Sequence, residues 1–105
     1  MKSLYAGPIA GGRAMSHVMV IDDNAHLRAT IAALLIDAGY RVSTATQGLE
    51  GLQSITREPV DLVVLDLMMP VFSGWEFLRE LRAHPQCAGT PVLVASAMDL
   101  SLIHI

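Results

Sequence analysis

The chain has 105 residues, of which 52% are hydrophobic and 16% are charged, a composition typical of one small folded domain and not of a disordered segment. Its formal net charge of -3 excludes a general attraction to nucleic acid or to acidic membranes, so a partner must be recognised at a local site. The single cysteine, Cys87, cannot form an internal disulfide, and the sequence has no run of about 18 apolar residues that would span a membrane. We therefore expect a cytoplasmic protein that contacts neither nucleic acid nor membrane directly.

The first residues are rich in Gly and Ala and show no periodicity before Val18. This pattern predicts a disordered tail over residues 1–16, followed by one domain over residues 17–105. Met15 is a candidate for the natural first residue.

From Val18 onward, short apolar runs alternate with segments of helical period. The pattern predicts four strands and four helices, in the order strand 18–22, helix 24–39, strand 40–45, helix 46–58, strand 60–66, helix 73–84, strand 90–96 and helix 99–105. In the first helix, one apolar stripe is formed by Leu27, Ile31, Leu34, Leu35 and Ala38. Gly39 then lies where a left-handed residue commonly ends a helix.

This alternation predicts an α/β fold with a doubly wound parallel sheet, joined by right-handed crossovers and covered by helices on both faces. In such sheets, ligands bind outside the carboxyl ends of the strands. The residues that end each strand are therefore the candidates for a functional site.

Four oxygen-bearing side chains end the predicted strands, namely Asp22, Asp23, Asp66 and Ser96. Three carboxylates at one edge repel one another unless a cation joins them. A site of hard oxygen ligands without His or Cys suits Mg²⁺ or Mn²⁺. A carboxylate beside such an ion can accept a phosphoryl group, with the Ser96 hydroxyl contacting the transferred oxygens.

Each of these residues also has an ordinary structural interpretation. Asp23 or Asn24 could cap the first helix, and Ser96 could be a turn hydroxyl. We interpret Trp75 and the Met68–Met69 pair as packing residues. The four histidines, which share no spacing, are interpreted as surface or ordinary packing residues: His17, His26, His84 and His104.

Three segments carry a resemblance to a known family. Residues 20–24 (VIDDN), residues 65–70 (LDLMMP) with Gly74, and residues 92–97 (VLVASA) resemble, in order and separation, the signatures of response-regulator receiver domains. The resemblance covers about residues 18–99. It implies a flavodoxin-like sheet of order 2-1-3-4-5, an arrangement for which the chemotaxis protein of this family is a standard example.

The resemblance also implies roles for individual residues. Asp66 would be the phosphoacceptor, receiving its phosphoryl group from a histidine kinase or a phosphotransfer protein. Mg²⁺, or alternatively Mn²⁺, would be held by Asp22, Asp23, Asp66 and the backbone carbonyl of Met68. Ser96 would be the switch hydroxyl. Pro70 and Gly74 would shape the loop after the acceptor.

The C-terminal part of the chain departs from the family pattern. Family members carry a fifth strand that ends in lysine, and then a fifth helix, whereas the only lysine here is Lys2. We therefore expect a sheet of order 2-1-3-4 with the fifth strand and helix missing. The exposed fourth strand would then be a site of self-association.

Three other functions remain open at this point. A degenerate or truncated receiver would act as a protein-interaction module without being phosphorylated. A phosphohydrolase of the haloacid-dehalogenase kind also uses a strand-end aspartate, but it places a second Asp two residues later, where this chain has Met68. A flavodoxin would need to cradle a phosphate beside Asp22 and Asp23, which would repel it.

Overall fold

The computed structural model of the chain describes residues 16–66 and 74–95, together with the backbone of residues 102–104. The strands are β1 His17–Ile21, β2 Arg41–Ala45, β3 Leu62–Leu65, β4 Val92–Ala95 and β5 Leu102–His104, and the helices are α1 Ala25–Asp37, α2 Gly48–Arg57 and α3 Gly74–Ala83. The predicted alternation of strands and helices is confirmed from β1 to β4. Of the predicted tail, only Ser16 is described, and its carbonyl accepts a hydrogen bond from the Arg41 N–H at 2.8 Å.

The five strands form one sheet in the order β2-β1-β3-β4-β5. The pairs β1–β2, β1–β3 and β3–β4 are parallel, so the predicted parallel order 2-1-3-4 is confirmed. Ile21 is level with Ala45 on one side and with Leu65 on the other. The last residues of these three neighbouring strands therefore lie at the same edge of the sheet.

The C-terminal segment departs from the prediction. Leu102–His104 is a strand that runs antiparallel to β4, pairing over Leu93–Ala95, so the helix predicted over residues 99–105 is wrong at 102–104. A helix of about seven residues forms too few internal hydrogen bonds to persist alone, whereas the side of β4 that faces away from β3 offers unpaired N–H and C=O groups. The fourth strand is therefore not an open edge over Leu93–Ala95, and β5 stands where the sequence predicted no fifth strand.

Helix α1 begins and ends with defined caps. The Asn24 side chain accepts a hydrogen bond from the Leu27 N–H at 2.9 Å. At the other end, Gly39 has φ +100° and donates to the Ile36 carbonyl, while the N–H of Tyr40 donates to the Leu35 carbonyl, which is the Schellman pattern. The role predicted for Gly39 is thus confirmed.

The sheet separates two groups of buried side chains. On one face, α2 and α3 pack Ile55, Phe77 and Leu81 against alternate residues of the sheet. On the other face, α1 is the only described helix and contributes Leu35 and, partly buried, Ile31. Not one of the described helices has the length and apolar character needed to cross a membrane.

The predicted apolar stripe of α1 is only partly correct. Leu35 is buried, but Leu34 is 52% exposed. The two residues lie about 100° apart around the helix, and among the described elements those that α1 contacts most are β2 and β1. A periodic pattern identifies residues that share one side of a helix, but it does not show whether a partner covers that side.

Helix α2 approaches β1 closely at Gly51. A Cβ atom on Gly51 would lie 2.4 Å from Cδ1 and 3.0 Å from Cγ1 of Ile21. Because Ile21 is the last residue of β1, this close contact fixes the end of the strand from which the acidic residues follow.

Candidate acidic site at the carboxyl edge of the sheet

The acidic residues are positioned by the ends of two neighbouring strands. Asp22 directly follows β1 and Asp66 directly follows β3, and the register aligns Ile21 with Leu65. The Asp22 N–H donates to the Ala45 carbonyl at 3.1 Å, and the Asp66 N–H donates to the Ile21 carbonyl at 3.0 Å. Both backbones are therefore held by the hydrogen-bond ladder one residue beyond the strands.

The three predicted carboxylates come together. Asp22, Asp23 and Asp66 each offer one oxygen, and these oxygens all lie within 4.8 Å of one another. Asp22 and Asp66 are buried, with 2% and 4% of their surface exposed, whereas Asp23 is exposed. The site is thus a cluster of three carboxylates, of which two are buried and one is exposed to solvent.

The surroundings of Asp22 shift the pKa of its carboxyl group. Burial raises the pKa of its carboxyl group, and the charges of Asp66 and Asp23 raise it further, although a hydrogen bond from the Asn24 N–H and the nearby Arg28 act in the opposite direction. The Asn24 N–H donates to Oδ1 of Asp22 at 2.8 Å. The ionised form of Asp22 is therefore destabilised where it stands, and a cation would relieve this cost.

Arg28, which the sequence analysis did not single out, and the predicted cap candidate Asn24 together organise the loop after β1. The guanidinium of Arg28 donates through Nη1 to the backbone carbonyl of Asp22 at 2.9 Å, which joins the first turn of α1 to the loop. Asn24 caps α1, so of the two candidate caps it is Asn24 that performs this role. The signal for Arg28 was its position six residues after Asp22, but the spacing alone did not indicate a bond to a carbonyl.

A third strand ends at the same edge with a polar residue that was also missed. Thr46 follows β2, and both its N–H and its hydroxyl donate to Oε1 of Glu50 at 2.8 Å. These hydrogen bonds lower the pKa of Glu50. The carboxylate of Glu50 thus fixes the turn into α2.

Two of the predicted site residues, Met68 and Ser96, lie outside the described residues, as do Met69 and Pro70. Gly74 is described as the buried first residue of α3. The interpretation of Trp75 as a packing residue is wrong, because its side chain is 61% exposed. It is the second residue of α3, and the side of the helix that packs on the sheet is filled by Phe77, Leu78 and Leu81.

The donor set suits a divalent cation with a preference for oxygen. Three carboxylate oxygens within 4.8 Å match the ligands that Mg²⁺ and Mn²⁺ prefer, and none of the three ligands is the nitrogen or sulfur that zinc favours. The fold and this cluster together define a doubly wound α/β domain with three carboxylates at the carboxyl edge of its sheet.

Comparison with known proteins agrees with this class. The family model described as the response regulator receiver domain matches residues 18–102. The response regulator RR06 of Streptococcus pneumoniae is 43% identical over 82 residues, which cover 78% of this chain and 36% of that protein. The two-component response regulator ORR11 of Oryza sativa is 31% identical over 96 residues, which cover 90% of this chain and 65% of that protein.

A solved structure extends the agreement to the fold. The chemotaxis protein CheY4 of Vibrio cholerae superposes with a TM-score of 0.74 and 37% identity, covering 77% of this chain and 68% of that one. The chain therefore belongs to the response regulator receiver domain family, which serves two-component phosphorelay signalling and is not a family of classical enzymes. It spans only part of the curated relatives that it matches, about a third in the case of RR06.

Proposed function

We propose that this domain accepts a phosphoryl group on the carboxylate of Asp66, and that the donor is a phosphohistidine of a histidine kinase or a phosphotransfer protein. The observation that supports this most directly is the burial of Asp66 at a strand end, with two further carboxylates within 4.8 Å. A carboxylate oxygen of Asp66 attacks phosphorus as the P–N bond to the donor imidazole breaks, so an acyl phosphate forms and neutral histidine leaves once its nitrogen takes up a proton.

The choice of Asp66 over its neighbours follows from their surroundings. Asp22 accepts the Asn24 N–H on one oxygen, and its pKa is raised, so it is less available as an anionic nucleophile. Asp23 is exposed and lies one residue farther from the sheet than Asp22. Asp66 combines burial with a backbone fixed by the Ile21 carbonyl.

We assign the cation to Asp22, Asp23 and Asp66, with the Met68 carbonyl added by family resemblance. Mg²⁺ bound there would neutralise charge on the phosphoryl oxygens. Ser96 would donate its hydroxyl to the transferred group. The chain's own residues supply the rest: Arg28 and Asn24 hold the loop that carries Asp22 and Asp23.

The test is incubation with MgCl₂ and a small phosphodonor, followed by intact mass spectrometry. We expect wild type to gain one phosphoryl mass, and Asp66→Asn to gain none. Asp37→Asn is the matched control, because Asp37 is an exposed acid at the far end of α1, and it should be modified as wild type is.

A folded wild-type protein that gains no mass would contradict the proposal and would favour the alternative function, a receiver that binds partners without phosphorylation. The family assignment displaces the phosphohydrolase and flavodoxin alternatives.

We place the domain in the cytoplasm, since its one cysteine, Cys87, is a buried free thiol, as is usual in a reducing compartment.

A further inference from the structure

The described helices cover the two faces of the sheet to different extents. On one face, α2 and α3 both contribute side chains to the buried core. On the other face, α1 is the only described helix, and the elements that it contacts most are β2 and β1. Because the strand order is β2-β1-β3-β4, β3 and β4 lie beyond the part of the sheet that α1 mainly covers.

The side chains of β3 and β4 on the α1 side are nevertheless shielded from water. We define the β3–β4 face by four apolar residues on that side: Leu62, Val64, Leu93 and Ala95. Leu62, Val64 and Ala95 are only 8%, 4% and 8% exposed. The face of a parallel sheet is buried only where another element lies over it. Burial this far from β2 and β1 therefore requires a second cover beside α1.

Two stretches outside the described residues are too constrained to supply this cover. Residues 67–73 lead to Gly74 at the start of α3, which packs on the opposite face. Residues 96–101 join Ala95 to Leu102, and these two residues are paired in the antiparallel ladder. Leu62 lies about 13 Å away at the other end of β3, whereas six residues span at most about 20 Å. They cannot reach Leu62 and return to β5.

Residues 1–15, the amino-terminal segment, enter the sheet at a suitable place. They precede Ser16, which is 1% exposed and whose carbonyl accepts the Arg41 N–H at the amino end of β1. Strand β1 is the direct neighbour of β3. A stretch of this length spans up to about 50 Å when extended, whereas β4 lies only about 10 Å from β1. The segment is therefore long enough to cross the whole β3–β4 face.

The composition of the amino-terminal segment also suits an apolar surface. Its only charged side chains are Lys2 and Arg13, whereas Leu4, Tyr5 and Ile9 are large and apolar. Packing such side chains on the sheet removes apolar area of both partners from water, at about 25 cal/mol for each Å². A strongly charged segment would gain nothing comparable.

We propose that the amino-terminal segment docks on the β3–β4 face of its own chain, beside α1, with its apolar side chains packed on the two strands. The occupant is thus part of the same molecule, and neither a second copy nor an unrelated protein. Attachment at Ser16 keeps the segment near the face, so docking costs less freedom than the binding of a separate chain does. The proposal does not rest on phosphoryl transfer.

Photo-cross-linking from the amino-terminal segment tests where it lies. Tyr5 is replaced by p-benzoylphenylalanine, which keeps an aromatic ring, and the dilute full-length protein is irradiated, digested and sequenced by mass spectrometry. We expect cross-links on the β3–β4 face, in a product with the mass of a monomer. The same amino acid in place of Gln53, which is exposed on α2, is the control and should give no cross-link to β3 or β4.

Three results of this experiment would overturn the proposal. Cross-links to Val63 or Val92, which belong to the core under α2 and α3, would place the segment on the opposite face of the same strands. A cross-linked dimer in dilute solution would make a second copy the occupant. A Tyr5 variant that gives no cross-link to the sheet would show that the segment does not cover it.

Polar substitutions measure how much the docked segment contributes to stability. The double variant Leu4→Ser, Ile9→Ser should raise the equilibrium constant for unfolding by more than about tenfold. It should also bind more of an anilinonaphthalene sulfonate dye, because the β3–β4 face becomes accessible. The control Ala6→Ser, Ala10→Ser makes the same number of polar changes with a smaller loss of apolar area, and should stay close to wild type.

A Leu4→Ser, Ile9→Ser protein that matches wild type in both stability and dye binding would contradict the docked arrangement. Neither measurement depends on a phosphodonor, and the mass gain at Asp66 does not depend on what covers the β3–β4 face. Failure of this proposal is therefore distinguishable from failure of the proposed function.

Discussion

The buried carboxylate of Asp22 lowers the stability of the domain when no cation is bound. Asp22 is 2% exposed, and its pKa is raised by burial and by the neighbouring carboxylates. When the pKa of a group is higher in the folded state than in the unfolded state, the free energy of unfolding falls as the pH rises through the folded pKa. At neutral pH without a cation, ionised Asp22 therefore reduces the stability of the domain.

Replacing this carboxylate should stabilise the metal-free protein. We expect Asp22→Asn to raise the free energy of unfolding in EDTA at pH 7 by on the order of 1 kcal/mol, because the amide keeps an oxygen for the Asn24 N–H and removes the charge. Urea unfolding is the measurement. Stabilisation of wild type by added MgCl₂ should be absent in the variant, and an Asp22→Asn protein less stable than wild type in EDTA would contradict the argument.

His17 is the second residue whose charge state matters to the fold. Arginine only donates hydrogen bonds, so Nδ1 of His17 accepts from Arg41 at 3.3 Å while Nε2 carries the proton and donates to Ser43 Oγ at 2.6 Å. Burial first, and then the charge of Arg41, lower the pKa of His17, against opposing effects of Glu58 and Asp61. Burial and Arg41 therefore favour the neutral form of the His17 side chain.

This arrangement predicts loss of stability in acid. The unfolded chain protonates His17 near its ordinary pKa of about 6.5, whereas the folded chain does so only at lower pH. The stabilisation that neutral His17 gives to the folded protein is therefore fully present above about pH 6.5 and is lost as the pH falls toward the pKa of His17 in the folded state. The free energy of unfolding, measured in urea between pH 5 and pH 7.5, should rise with pH in wild type, and this pH dependence should be weaker in His17→Gln.

Ser43→Ala separates the charge effect from the loss of a hydrogen bond. This substitution should lower the free energy of unfolding at every pH, because Nε2 of His17 loses its acceptor. It should leave the dependence of that free energy on pH unchanged, since the imidazole still faces Arg41. Equal slopes in wild type and His17→Gln would show that His17 does not carry the effect.

At the scale of elements, the end of α1 depends on one backbone conformation. Gly39 has φ +100°, and a Cβ atom there would meet nothing within 4 Å. Any cost of a side chain at this position therefore comes from the left-handed backbone and not from a clash.

The matched pair Gly39→Ala and Gly89→Ala tests this. Gly89 likewise has open space for a Cβ atom, but its φ lies outside the left-handed range. We expect Gly39→Ala to lower the free energy of unfolding by about 1 kcal/mol and Gly89→Ala to leave it unchanged or slightly raised. Thermal or urea unfolding of the two variants measures this difference. An equal loss of stability in both variants would contradict the argument from backbone conformation.

Elements also show where sequence reasoning succeeds. The stop at Gly39 and the placement of Asp22 and Asp66 followed from local patterns, because a helix end and a strand end each have residue types that suit them. The exposure of Leu34 and Trp75 did not follow, since it depends on which elements cover them. Similarly, the hydrogen bond of Arg28 to the Asp22 carbonyl depends on the angle between α1 and β1, which spacing does not give.

For the whole molecule, the order of the sheet was predictable up to β4, because alternating strands and helices allow few parallel arrangements. The antiparallel β5 was not, since three residues have no distinguishing period and their pairing is set by the unpaired edge of β4. The sheet is therefore anchored at its centre by β1 and β3 and completed at one edge by the short strand β5.

This architecture predicts unequal protection of the strands. Ile103→Pro removes a backbone N–H and opposes extended pairing within β5. We expect hydrogen exchange to accelerate at those β4 amides that point away from β3, while amides of β1 stay protected. The amides of β2, at the other edge, are the internal control. Unchanged exchange in β4 would mean that β5 contributes nothing to the protection of that strand.

The exposed side chain of Trp75 has a practical consequence. It is the only tryptophan in the chain, it stands at the second position of α3, and it is 61% exposed. Fluorescence excited selectively at tryptophan therefore originates from one known place, on the helix that follows β3. Its emission wavelength, and its quenching by iodide, give an optical signal from that place without any label attached to the protein.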